Sequence, residues 1–108
     1  MRSLVLSSIV IAAVASAQDK QTFAGTTTDS ECANADHSHM QMGPTVADCT
    51  VACVAVHGAA YVLYDGEDVY ELSDQQAPEQ FGAQQVIVTG TLEADTEMIQ
   101  VDSIIAAR

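Results

Sequence analysis

Two pairs of short strand-like runs each flank an acidic turn, the second pair alternating strongly between apolar and polar residues, and that pattern constrains the fold more than any other. Ala59 to Tyr64 (AAYVLY) and Val69 to Leu72 (VYEL) flank Asp65-Gly66-Glu67-Asp68. Gln85 to Leu92 (QVIVTGTL) and Met98 to Ile105 (MIQVDSII) flank Glu93-Ala94-Asp95-Thr96-Glu97. A period of two with turn residues between predicts two antiparallel hairpins, and it places Ile99, Val101 and Ile105 on one face of the last strand. Gln21 to Thr28 (QTFAGTTT) supplies a first strand, which Asp29-Ser30 breaks. A polar loop then leads to Met42-Gly43-Pro44.

One helix is punctuated clearly. Thr45 can cap it, Asp48 three residues on completes a capping-box pattern, and Gly58 is a natural stop, so the helix runs from about Val46 to His57. Ser73 to Gly82 holds at most one or two helical turns, opening near Pro78 and ending at Gly82. Five strands with a short helix between the third and fourth match the order of an OB-like Greek-key barrel. The chain is therefore expected to be mainly β, a five-stranded barrel with a helical insert; a five-stranded α+β roll is the alternative. Gly90 within the fourth strand suits a bend at a barrel corner.

The first seventeen residues read as something other than fold. Arg2 is a short basic start, Leu4 to Val14 is apolar, and Ala15-Ser16-Ala17 has the form of a cleavage site, which is the pattern of a secretory signal peptide. The apolar run is shorter than the ~20 residues that span a bilayer. Residues 18–108 are then one domain, secreted or periplasmic, with no membrane insertion after cleavage. Cleavage after residue 17 of 108 leaves 91 residues, a size that buries only about 60–65% of its unfolded surface and often recruits a disulfide or a metal.

Charge narrows the partners. The chain carries Asp+Glu 15 against Lys+Arg 3, a net −12, and loss of Arg2 takes it to −13. No basic patch is present to release counterions from a phosphate backbone, so nucleic acid is excluded. Cations, metal ions or a basic protein partner suit such a field. No Ser-His-Asp, paired-carboxylate or phosphate-loop pattern is present, and a catalyst is not the expectation. Tyr61, Tyr64 and Tyr70 resemble a base-stacking platform, but the charge favours packing and cross-strand pairing. The acidic turn at Asp65, Glu67 and Asp68 lacks calcium-loop spacing.

Every cysteine and histidine falls between Glu31 and His57: Cys32, His37, His39, Cys49, Cys53 and His57, with Met40 and Met42 among them. Thiolate, thioether and imidazole are donors for soft and borderline metals, copper first and zinc next. Cys49, Cys53 and His57 lie at i, i+4 and i+8 of the helix, which places them towards one face. The expected ligands are Cys32, His37, Met40, Cys49 and Cys53, with His39, Met42 and His57 as weaker candidates. His and Met at alternate positions of an extended loop point opposite ways, so the loop must turn for both to reach one ion.

Three cysteines in an exported chain read equally as a staple. Cys32 with Cys53 or Cys49 would close a loop worth about 3 kcal/mol, whereas Cys49 with Cys53 is resisted by helical geometry. Cys49 in the first helical turn with Cys32 as its resolving partner is a third, redox reading. The functional alternatives are thus a soft-metal binding protein and a disulfide-stapled interaction module with neither metal nor catalysis.

FAGTTTDSEC, CTVACV, YVLYDGEDVYELSD and VTGTLEADTEMIQVDSI together resemble a family of small, exported, largely uncharacterised bacterial proteins. The resemblance implies an OB-like barrel and covers nearly all of the chain after the signal. It implies a cysteine after the Asp-Ser pair and a Cys-x3-Cys helix, here Cys32, Cys49 and Cys53. It also implies a His and a Met in the intervening loop, here His37 and Met40 or Met42. It carries no established activity.

Overall fold

A computed structural model describes residues 20–38 and 41–107. The signal-peptide expectation at residues 1–17, and the candidate ligands His39 and Met40, lie outside the described residues.

The architecture is the expected mainly β barrel. Five strands, β1 (Gln21–Asp29), β2 (Tyr61–Tyr64), β3 (Val69–Leu72), β4 (Gln85–Glu93) and β5 (Met98–Ala106), close in the order β1-β2-β3-β5-β4. All neighbours are antiparallel except β3 and β5, which meet in parallel through Glu71↔Met98 and Leu72↔Ile99. The core inside is Leu63, Leu72, Val86, Val88 and Ile99, with Phe23, Tyr70, Phe81, Leu92, Val101 and Ile104 packed around it. Among the described residues each strand is paired on both sides, which limits the edge open to another chain. Among the described residues no helix is long and apolar enough to cross a membrane.

The inserted helix, α1, spans Val46–His57 as its punctuation predicts. Thr45 Oγ1 accepts from the Asp48 N–H at 3.0 Å, and Gly58 takes the left-handed conformation (φ 73°) while its N–H bonds the Cys53 carbonyl. That conformation is the one a residue with a Cβ resists. The helix lies against β1 and buries Cys49, Thr50 and Cys53, so its inner stripe is thiols and a hydroxyl rather than leucines. A 3₁₀ turn, Ala77–Phe81, stands where a second helix was expected, with Pro78 in its opening turn.

Two details depart from the sequence reading. Strand β2 begins at Tyr61, not Ala59, because Ala59 N–H still bonds the Cys53 carbonyl of the helix exit and Ala60 N–H bonds Ser30 Oγ. The β4–β5 ladder also slips: Gly90 faces Val101 but Thr89 faces Ser103. Asp102 is therefore the extra residue of a bulge, and alternation reverses beyond it. Ile104, opposite the buried Val88, turns inward; Ile105, opposite Ile87, turns out and is 59% exposed. Ile99, Val101 and Ile105 do not share a face as the even spacing implied. Gly90 is required at this corner, since a Cβ there would lie 2.1 Å from the Gln100 carbonyl oxygen.

The tyrosines pack as expected. Tyr61 is buried, the Tyr70 ring meets Phe23 at 5.6 Å between centroids, and Tyr64 donates to the Gly66 carbonyl. In the acidic turn, Asp65 Oδ1 accepts from the N–H groups of Glu67 and Asp68 at 2.9 and 2.6 Å. These bonds, Asp68 first, hold its carboxyl below the usual range.

Candidate metal centre

Strand β1 ends on a carboxylate that starts the next element. Asp29 caps a 3₁₀ turn, Ser30–Cys32, its Oδ1 accepting from Glu31 N–H at 3.0 Å and Cys32 N–H at 2.9 Å. The cap uses one oxygen. The other, Oδ2, is fully buried and has no hydrogen-bond partner among the described residues, and the residue itself is 0% exposed. A buried carboxylate left half satisfied is costly and calls for a compensating charge.

The donors around it are soft and buried. Asp29, Cys32 and His37 each offer an atom to a group in which all lie within 4.8 Å of one another. His37 Nδ1 stands 3.9 Å from Asp29 Oδ2 and 3.2 Å from Cys49 Sγ. Cys49 and Cys53 are both buried one turn apart on α1, and the Cys53 thiol donates to Met42 Sδ at 4.0 Å. The result is a continuous train from Asp29 through Cys32, His37, Cys49 and Cys53 to Met42.

The orientation of the imidazole follows from its neighbours. Nε2 lies 3.5 Å from Thr28 Oγ1 and 3.4 Å from Thr50 Oγ1. Each hydroxyl already gives its one proton to a carbonyl, Thr28 to Cys32 at 2.9 Å and Thr50 to Val46 at 3.0 Å. Both oxygens can therefore only accept, so a proton on Nε2 suits them, and Nδ1 faces the carboxylate and thiols. Fixing one ring nitrogen in this way is how proteins present the other to a metal.

The apo site disfavours charge. Burial, then the negative charge of Asp29, pushes the Cys32 thiol above its ordinary value. The same causes in the same order, with Cys49 adding to them, push Cys53 up to about 12. A cation reverses this preference, because thiols bind metals as thiolates.

The expected ligands thus divide. Cys32, His37, Cys49 and Cys53 come together, and Met42 joins them through Cys53, while Met40 lies outside the described residues. His37 and Met42 both approach the helix that carries Cys49 and Cys53. His57 is exposed at the helix end and stays out of the buried cluster. The reason is pitch: at 3.6 residues per turn, a position eight residues on has rotated by about 80° from Cys49. Asp29 was read as a strand breaker and missed as a candidate donor. The available signal was an Asp three residues before a Cys, the N-cap spacing that carries the carboxylate to the thiol's turn. No disulfide joins Cys32, Cys49 or Cys53.

A cavity of about 340 Å³ opens onto this cluster, lined by His37 and Cys49 together with the first turn of α1. The chain matches no family model, no curated protein and no solved structure.

Proposed function

We propose that this chain is a small exported protein that binds a soft or borderline transition metal, copper first and zinc next, and that it is a carrier or buffer rather than an enzyme. The observation that carries the reading is the buried Asp29 Oδ2, without a hydrogen-bond partner and within 4.8 Å of donors on Cys32 and His37. Cys49, Cys53 and Met42 add sulfur donors, which favours copper over magnesium or calcium. The net charge of −12 draws cations to the surface. The signal-like pattern of residues 1–17 supports a secreted or periplasmic location. Its partner is a metal ion or an unidentified protein, not nucleic acid, and it does not insert in the membrane once the leader is cleaved.

Native mass spectrometry of protein purified from the periplasm, with and without chelator, tests this. The expected result is a bound copper or zinc ion, with thiols becoming reactive when it is removed. A mass two daltons below the fully reduced chain, with no metal uptake, would instead establish the stapled interaction module, Cys32 bonded to Cys53 or Cys49.

A further inference from the structure

Within the cluster the donors are sorted by chemistry. The carboxylate, the imidazole and one thiol lie at the β1 end: Asp29, His37 and Cys32, mutually within 4.8 Å. The other end is sulfur alone: Cys53 beside Cys49, and 4.0 Å from Met42. Cys49 lies between the two ends, 3.2 Å from His37 Nδ1 and one helical turn from Cys53.

We propose, building on the metal-binding reading, that the cluster holds two different ions at once. Zinc sits among Asp29, Cys32 and His37, and Cu(I) sits among Cys49, Cys53 and Met42. The first set is one oxygen, one nitrogen and one sulfur donor, three protein ligands of the types zinc takes, which leaves its fourth position open to water. The second is the all-sulfur, low-coordinate set that suits Cu(I) and that zinc does not prefer. Two metal–sulfur bonds of about 2.3 Å span up to about 4.6 Å, so one ion reaches both Cys53 and Met42 as they stand.

The test is reconstitution of the reduced protein with Zn²⁺ alone, Cu(I) alone and both together, read by native mass spectrometry. One zinc and one copper on the same molecule is the expected result. If each metal displaces the other and no molecule carries both, the two-ion arrangement is overturned while the single-site reading survives. Binding of neither overturns both. Two variants divide the halves: Asp29→Asn should weaken zinc at least tenfold and leave copper within twofold, and Met42→Leu should do the reverse. Equal loss of both metals in both variants would also overturn the proposal. Asparagine keeps the oxygen that caps Glu31 and Cys32, and far-UV circular dichroism checks that each variant is folded.

Discussion

Asp29 shows how one side chain can serve the fold and the site with different atoms. Its Oδ1 ends β1 by capping the turn that carries Cys32, and its Oδ2 is buried beside His37 without a hydrogen bond. Removing the charge while keeping the cap should therefore separate the two roles. In Asp29→Asn the metal-free protein is expected to melt at or above the wild-type temperature, because a buried uncompensated charge is gone, while zinc affinity falls. A clear drop in the metal-free melting temperature would mean that Asp29 is chiefly structural. Cys53 gives a pH dependence of definite sign. Its thiol is raised from 9.0 to about 12, so the folded state holds a proton that the unfolded chain releases first. The stability this group contributes is intact below pH 9.0 and is lost as pH rises through about 12. Denaturant titrations of metal-free protein across that window should show a falling midpoint, and Cys53→Ala should flatten the fall. The sulfur and imidazole donors were legible because such residues are scarce and crowd one stretch. Asp29 was not, because it is one of fifteen acids in the Asp+Glu count and its spare oxygen exists only once the turn has closed.

Helix α1 draws little from its own sequence. Val46, Val51, Val54, Val56 and Thr50 are β-branched residues of modest helix propensity, and Val46 and Val56 are 48% and 70% exposed. Its ends and its buried thiol stripe must hold it. Thr45→Ala should accordingly cost about 1 kcal/mol, and Gly58→Ala about 1 kcal/mol through the left-handed φ, each measured by urea unfolding. Caps are local, which is why Val46–His57 could be bounded from the sequence alone. The bulge at Asp102 is not local: it follows from how β5 registers on β4, and an unbroken even spacing gave no sign of it. Gly90→Ala should be the most damaging single-methyl change in the barrel, with a loss above about 2 kcal/mol, because the added carbon meets backbone that cannot move aside.

At the scale of the whole molecule, the strand order was legible because two hairpins, a lone first strand and a short helical connection admit few closed arrangements. The joining of β1 to β4 follows from that order, although no local signal marks it. What the sequence lacked was depth, since it showed which donors are near in number but not that they are sealed beneath a helix. Burial makes metal loading a matter of global stability. An ion that binds only the folded state at a hundred times its dissociation constant adds about 2.7 kcal/mol, and in a domain this small each kcal/mol moves the melting temperature by about 4–8 °C. Chelation should therefore lower the melting temperature by about 10–20 °C by calorimetry, and re-addition of copper or zinc should restore it.

The donors also sit close together along the polypeptide. Asp29 to Cys53 is a single short span, whereas sealing the barrel must join Gln21 to Gly90 across most of the chain. Contacts between near neighbours form early in folding, because little loop entropy is lost in making them. An ion captured by the span would then act on the transition state, steepening the approach to the native state rather than only slowing departure from it. Stopped-flow refolding with copper or zinc present should shift the refolding arm of the chevron, and a shift confined to the unfolding arm would place capture after the barrel has closed.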